Sequence, residues 1–238
     1  MLDDPEWIAC FWRKVMKADQ EPAQWKTRRH HERICSDVQL TGGFLHDGSP
    51  LMSHINAERF DWAIDKEGLA GGDGWGVYHE IGHMRQNRAW TPEGTTEVTV
   101  NLFTMYALET VSGANLRDSR YPCATQKAKH RVDSWVKRGK TFDDWKKDYF
   151  LAHEMYLRIK EAYGWEAYKK TFARYLEPGF RQPANDAEKW NVFARELSKA
   201  VNADMAAALT TWSIPLDDAT KEFCAKFPPA KASVVDDL

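Results

Sequence analysis

The chain has 238 residues, a hydrophobic fraction of 43% and a formal net charge of −2. This length allows one large domain or two small ones with a buried core, and the apolar fraction argues against disorder. A nucleic-acid-binding face requires a strong basic excess, so the near-neutral charge excludes nucleic acid as an expected partner. No apolar run approaches the roughly 18 residues of a membrane helix, so we expect no membrane span.

The N-terminal third is predicted to combine one helix, one strand and two glycine-rich loops. Apolar residues at helical spacing indicate a helix over Pro5–Ala18, and alternation indicates a strand over Arg33–Leu40. Glycine-rich loops are expected at Thr41–Pro50 and at Gly68–Gly74. The second loop leads into a helix that should begin near Gly76 and end before Pro92.

The remainder is predicted to be helical. Thr95 and Thr96 offer N-cap oxygens for a helix that runs to about Val111. Six further helices are expected at Cys123–Arg138, Asp148–Tyr163, Gly164–Leu176, Asp186–Asn202, Asp204–Trp212 and Leu216–Phe227. We therefore expect an α+β fold that is predominantly α-helical. Residues 1–227 would form one catalytic domain, divided into a β-containing part (1–73), two site helices (74–112) and a helical subdomain (113–227), with 228–238 as a tail.

The most informative segment is His79-Glu80-Ile81-Gly82-His83, which matches the pattern HExxH. On a helix, histidines four residues apart share one face, and their imidazoles converge on a single Zn²⁺. Glu80 would lie beside them and take a proton from a water molecule. We therefore predict a hydrolytic site with one Zn²⁺ per chain.

A catalytic zinc requires a third protein ligand. The elongated pattern that supplies a third histidine would need glycine and histidine where this chain has Gln86 and Ala89, so that alternative fails. Two glutamates follow, Glu93 in a loop and Glu97 one turn into the next helix. We favour Glu97, because the chain is expected to reverse direction after the HExxH helix and return as a second helix. That reversal brings Glu97 back over the HExxH helix.

Two amides are candidates to orient the ligands. Asn101 lies four residues after Glu97 on the same helix face, and Gln86 lies three residues after His83. A group of this kind usually fixes the tautomer of a ligating histidine. A purely structural role for Asn101 remains open at this point.

These motifs resemble a known family. Gly74-Trp75-Gly76, the HExGHxxQ pattern and Thr96-Glu97-Val98-Thr99-Val100-Asn101-Leu102-Phe103 are similar to the enhancin-like peptidases, family 60 of the metallopeptidases. The segment Gly43–Pro50 resembles the loop that precedes the zinc helix in that family, and looser similarity extends from about Pro5 to Phe227. The resemblance implies a zincin fold of the gluzincin type with a small N-terminal β-containing part.

The resemblance also implies roles. It makes His79, His83 and Glu97 the metal ligands and Glu80 the catalytic base. It implies a substrate class, proteins with mucin-type O-glycans that are cleaved beside a glycosylated Ser or Thr, and a secreted or cell-surface location. Three departures from the family are evident: Met84 replaces a polar residue, the segment His46-Asp47-Gly48-Ser49 lacks an aromatic residue that the family's loop carries, and the chain begins late. The chain has no signal peptide at Met1-Leu2-Asp3-Asp4, so we expect a fragment of a larger protein.

Some assignments stay open on sequence alone. Candidate glycan contacts are Trp62, Trp75, Trp90 and His46, because aromatic faces stack on sugars, although most of the eleven tryptophans are expected to pack in the interior. Candidate oxyanion donors are Tyr78, His153 and Tyr156. The disulfide state of Cys10, Cys35, Cys123 and Cys224 is undetermined, since no CxxC pair is present. Two other functions remain possible, a catalytically silent binding module and a peptidase for unglycosylated substrates.

Overall fold

The computed structural model describes residues 34–37, 45–48, 50–54 and 65–238. The helix expected at Pro5–Ala18 therefore lies outside the described residues. The chain forms two compact units. The first takes in the described residues up to Gln86 together with Val100–Leu116, and the second takes in Asn87–Thr99 and Arg117–Leu238.

The first unit contains a small three-stranded sheet. Its strands are β1 (Ile34–Asp37), β2 (Leu45–His46) and β3 (Leu51–His54), in the order β1-β3-β2. The central strand β3 pairs in parallel with β1 and antiparallel with β2. The strand predicted at 33–40 is thus confirmed over Ile34–Asp37. The short strand β2 lies within a predicted loop, and β3 was not predicted.

Two helices follow the sheet in the first unit, α1 (Lys66–Gly71) and α2 (Trp75–His83). Part of the predicted loop at 68–74 is therefore helical. Asp65 caps α1 by accepting from the Glu67 N–H, and Gly72 ends the helix in the left-handed conformation with φ of 95°. Helix α2 begins one residue before the predicted start.

A core of apolar side chains joins α2 to the sheet. Leu45 and Leu51 from the strands pack with Leu69 of α1 and with Val77 and Ile81 of α2. Val77 and Ile81 are four residues apart, so one face of α2 is held against the sheet. The position of the HExxH segment is therefore fixed by hydrophobic burial on that face.

Helix α3 (Thr96–Val111) is buried almost all round. Every residue from Val98 to Tyr106 is buried, including the polar Thr99, Asn101 and Thr104. A helix with no solvent-facing stripe is typical of the centre of a fold rather than of its surface. The Thr95 hydroxyl, predicted as an N-cap acceptor, donates a hydrogen bond to the Pro92 carbonyl oxygen at 2.7 Å.

The second unit is helical throughout its regular structure. Its helices are α4 (Thr125–Lys137), α5 (Phe142–Lys147), α6 (Tyr149–Tyr163), α7 (Trp165–Tyr175), α8 (Asp186–Val201), α9 (Met205–Thr211) and α10 (Asp218–Cys224), with 3₁₀ turns at Arg88–Trp90 and Ala232–Val234. All six helices predicted from the sequence are present with ends shifted by a few residues. Helix α5 was not predicted.

Tryptophans form much of the interior of the second unit. Trp135, Trp145 and Trp212 are fully buried, and Trp135 stacks on Trp212 with ring centroids 5.7 Å apart. Trp190 packs edge-on against Trp145. These tryptophans therefore pack in the interior, where they bury large areas and make oriented ring contacts.

The last residues, for which the sequence suggests a tail, pack along the second unit. Val234 is fully buried, and its carbonyl oxygen accepts from Trp212 Nε1 at 2.9 Å. The Lys231 N–H donates to the Tyr163 hydroxyl at 2.8 Å. These contacts satisfy a buried indole N–H that would otherwise lack a partner.

The observed fold confirms a predominantly helical α+β class. Helices dominate the described ranges, and strands occur only in the small sheet of the first unit within those ranges. None of the helices resolved in 65–238 combines the length and apolarity needed to cross a membrane. Cys35, Cys123 and Cys224 are not in disulfide bonds, and Cys10 lies outside the described residues.

Candidate metal centre

The side-chain rows of α2 have different surroundings. Val77 and Ile81 face the sheet, while Gly82 packs against Val100 and Phe103 of α3. His79 and His83 lie about 200° around the helix from the sheet-facing row, because each residue advances the helix by about 100°. Burial of the rows that contain Val77 and Gly82 therefore leaves the two histidines on a half-buried face of the same helix.

Each of the two imidazoles makes a hydrogen bond to an amide through its Nδ1 atom. Nδ1 of His79 lies 2.9 Å from Oδ1 of Asn101, and Nδ1 of His83 lies 2.8 Å from Oε1 of Gln86. The two Nε2 atoms face each other at 3.1 Å. The structure thus brings both predicted amides to the predicted ligands, one amide to each histidine.

Glu97 completes a group of three. The ligand-capable atoms of His79, His83 and Glu97 lie within 4.8 Å of one another, and this is the set of His, Cys, Asp and Glu side chains with metal-ligand spacing among the described residues. Two nitrogens on one tetrahedral zinc at about 2.0–2.1 Å would lie about 3.4 Å apart, close to the observed Nε2 separation. The residues present therefore fit a zinc ion. Glu93, the alternative ligand, is an exposed loop residue outside this group.

Two neighbours on α2 share the site. Glu80 follows His79 directly and is half-buried, in contact with both solvent and protein. Trp75 precedes His79 by one turn, so it belongs to the same side-chain row as the two histidines, and it is also half-buried. A carboxylate and an indole therefore flank the histidine pair.

The other predicted glycan contacts have different environments. Trp90 is only 3% exposed, and its ring stacks on Phe172 with centroids 4.6 Å apart. This burial argues against a sugar-stacking role, because no ring face is available. His46 is half-buried at the end of β2, with an enclosed Nε2 that has no hydrogen-bond partner among the described residues. Trp62 lies outside the described residues.

The predicted oxyanion donors are engaged elsewhere or enclosed. The Tyr78 hydroxyl donates to the Leu69 carbonyl oxygen at 3.0 Å, and burial raises the pKa of this phenol. His153 and Tyr156 are buried in the core of the second unit, with exposures of 0% and 2%. The structure therefore argues against all three as donors to a substrate oxyanion.

Gly82 has a role at the site that the sequence patterns did not identify. A Cβ built on this residue would lie 2.9 Å from Cγ2 of Val100 and 3.1 Å from its carbonyl oxygen. The absence of a side chain lets α2 and α3 approach closely enough for Asn101 to reach His79. A glycine inside a helix costs about 1 kcal/mol relative to alanine, so its presence in the HExxH helix was the sequence signal for close packing at this position.

A helical fold with a small sheet, and a histidine pair joined by a glutamate from the next helix, define a metallopeptidase-type domain. Residues 2–213 match the family model described as peptidase M60, enhancin and enhancin-like. The chain belongs to this family. The resemblance drawn from the HExxH region is thereby confirmed.

Curated relatives cover nearly all of this chain. TRPM8 channel-associated factor 2 from Bos taurus is 32% identical over 229 residues, which is 95% of this chain and 24% of that protein. The TRPM8 channel-associated factor homolog from Xenopus laevis is 32% identical over 232 residues, again 95% of this chain and 25% of its own length. The chain therefore spans about a quarter of the length of these relatives.

Solved structures share the fold at low sequence identity. A conserved protein of unknown function from Bacillus anthracis str. Ames superposes with a TM-score of 0.74 and 21% identity, covering 97% of this chain and 47% of that one. A metallopeptidase in complex with Tn antigen gives a TM-score of 0.67 at 18% identity, with 95% and 46% covered. The catalytic module of the metalloprotease ZmpA from Clostridium perfringens gives 0.61 at 17%, with 97% and 44% covered.

Proposed function

We propose that this chain is the catalytic domain of a zinc endopeptidase that cleaves proteins carrying mucin-type O-glycans, next to a glycosylated Ser or Thr. The observation that carries the proposal is the group of His79, His83 and Glu97, whose ligand-capable atoms lie within 4.8 Å of one another. Two neutral imidazoles and one carboxylate are the donor set of thermolysin-type catalytic zinc sites. Membership of a peptidase family supports the same reaction class.

In this proposal Glu80 carries the proton. Its carboxylate removes a proton from the attacking water as the water oxygen bonds to the scissile carbonyl carbon. The same carboxyl group then gives that proton to the amine nitrogen as the carbon–nitrogen bond breaks, so that Glu80 returns to its starting state. A bound zinc ion would lower the pKa of water and polarise the scissile carbonyl. His79, His83 and Glu97 would hold the ion, with Glu80 directly after His79 on the same helix.

The substrate class rests on two supports. One structural neighbour is a metallopeptidase in complex with Tn antigen, which motivates a glycosylated substrate for this chain. Trp75, on the same row of α2 as the histidines and half-buried, is the aromatic residue best suited to pack on a sugar beside the metal. His46 is kept as a weaker glycan contact. A secreted or cell-surface location follows from the same substrate class, because mucin-type glycoproteins are extracellular.

Cleavage of a defined O-glycopeptide tests the proposal directly. The purified chain is incubated with an O-glycopeptide and with its unglycosylated twin, each with and without a chelator. We expect cleavage of the glycosylated peptide only, and loss of cleavage with the chelator. Glu80→Gln should keep stoichiometric zinc and lower the rate by at least about 10³-fold, and an unchanged rate in this variant would refute the proposal. Equal cleavage of both peptides would instead indicate a peptidase for unglycosylated substrates.

A second candidate function is a binding module without turnover. The observation that favours it is the similarity to proteins named TRPM8 channel-associated factors. The two candidates differ in chemistry, since a silent module would bind zinc without hydrolysing any peptide. Retention of both histidines, Glu97 and Glu80 in this chain favours the enzyme.

A further inference from the structure

We infer that Asn101 and Gln86 are positioning residues, which together fix both histidine rings so that Nε2 of each ring is the metal ligand. The inference rests on the zinc site of the proposed function and assigns a role to two side chains outside the ligand set. It is carried by two short contacts, His79 Nδ1 to Asn101 Oδ1 at 2.9 Å and His83 Nδ1 to Gln86 Oε1 at 2.8 Å.

The chemistry of an amide determines the tautomer. An amide oxygen carries no proton and only accepts, so each Nδ1 must donate its hydrogen to it. A neutral imidazole that is protonated at Nδ1 has its lone pair at Nε2. The two amides therefore leave both histidines with their free lone pairs at Nε2, as metal ligation requires.

The same contacts set the direction of the rings. With Nδ1 held, the Nε2 atoms face each other at 3.1 Å and the ring planes stand at 89°. Two lone pairs that face each other at this distance repel, and a cation between them converts the repulsion into attraction. The ligand pair is thus oriented before any metal binds, which lowers the conformational entropy cost of binding.

Both positioning residues are themselves held in place. Asn101 is 2% exposed on α3, where the close packing of Gly82 against Val100 fixes the helix separation. The Gln86 N–H donates to the Gly82 carbonyl oxygen at 3.1 Å, so the turn after α2 fixes its backbone. One amide is therefore anchored by helix packing and the other by a turn.

The test is the zinc affinity of variants that remove or keep the acceptor oxygen. Asn101→Leu and Gln86→Met keep the approximate shape and remove the acceptor, so we expect each to weaken zinc binding by about 10–100-fold. Asn101→Asp and Gln86→Glu keep an acceptor oxygen at the same position, so these variants should keep most of the wild-type zinc affinity. Affinity is measured by competition with a chromophoric chelator, and the visible spectrum of the Co²⁺-loaded protein reports ligand geometry independently of activity.

A buried amide elsewhere controls for loss of stability. Asn191 is 7% exposed in the second unit, where it donates to Asp217 Oδ2 at 2.8 Å. Asn191→Leu should lower thermal stability without changing zinc affinity. Wild-type zinc affinity and an unchanged Co²⁺ spectrum in both Asn101→Leu and Gln86→Met would overturn the inference and leave the proposed function intact. Failure of the wild-type chain to bind zinc would refute the proposed function itself.

Discussion

Gly82 on α2 lies so close to Val100 on α3 that a Cβ on Gly82 would be 2.9 Å from Val100 Cγ2. His83 follows Gly82 on α2 and Asn101 follows Val100 on α3, so the contact adjoins one proposed metal ligand and one proposed positioning residue. The separation of the two helices therefore sets the distance from Asn101 to His79. Changes at this contact should affect the site without altering any ligand.

Gly82→Ala should separate α2 from α3 by a few tenths of an ångström and weaken zinc binding several-fold. Overpacking of this kind costs about 1–3 kcal/mol, while the gain in helix propensity returns up to about 1 kcal/mol. The matched control is Gly71→Ala on α1, where an added Cβ meets no atom within 4 Å. Zinc titration and thermal unfolding measure both variants. Equal zinc affinity in the two variants would contradict the proposed role of the contact.

Glu97→Gln should weaken zinc binding by at least about 100-fold, because the only carboxylate of the three-residue group becomes a neutral amide. Glu93→Gln is the matched control, since Glu93 is an exposed residue of the preceding loop. Zinc affinity of both variants is measured by chelator competition. A loss in Glu93→Gln with no loss in Glu97→Gln would assign the third ligand to the loop.

Arg117→Ala should destabilise the second unit by about 3 kcal/mol. Arg117 forms a bidentate pair with Glu154, whose side chain is only 4% exposed, at 2.7 Å and 3.1 Å. Removal of the cation leaves Glu154 buried with Arg158 as its remaining ion-pair partner among the described residues, and breaking a buried pair typically costs about 3–5 kcal/mol.

The control for this prediction is Arg120→Ala. Arg120 pairs with Asp118 at 3.8 Å, and both side chains are more than two-fifths exposed, so its loss should change stability by less than about 1 kcal/mol. Urea denaturation measures both variants. Equal destabilisation would show that burial of Glu154 does not determine the effect.

Thiol labelling should distinguish Cys35 from Cys123. Cys35 is exposed, whereas burial raises the pKa of the Cys123 thiol to about 11. Only the thiolate reacts, so Cys123 should stay unlabelled at pH 8 and should react only as the pH approaches 11 or when the fold opens. Iodoacetamide labelling followed by peptide mapping checks this, with the urea-unfolded chain as the control. Rapid labelling of Cys123 in the folded chain at pH 8 would contradict the buried environment.

The helical half of the fold was largely predictable, because its signals are local. Asp148 and Asn185 cap α6 and α8 by accepting backbone N–H groups, and both helices follow the predicted ranges closely. Helix α5 was missed although Thr141 caps it by accepting from the Asp144 N–H. At six residues it is too short for an apolar periodicity, and its one buried apolar anchor, Trp145, gave no pattern.

The sheet was less predictable, because pairing between strands is non-local. Strand β3 has the sequence Leu-Met-Ser-His, which lacks the β-branched and aromatic residues that favour strands. Its alternating burial, with Leu51 and Ser53 inside, arises from pairing with β1 and β2 and from packing against α2. No short-range pattern carries that information.

By itself the sequence predicted which residues form the candidate metal site, since HExxH spacing depends only on the 3.6-residue repeat of a helix. Tertiary structure decided what spacing cannot encode. It brought Asn101 across a helix contact to within 2.9 Å of His79, whereas the contact of Gln86 with His83 spans only three residues of the chain. It also buried Trp90 in the second unit, where the ring stacks on Phe172. These outcomes depend on the distance between elements that are far apart in the chain, and packing alone sets that distance.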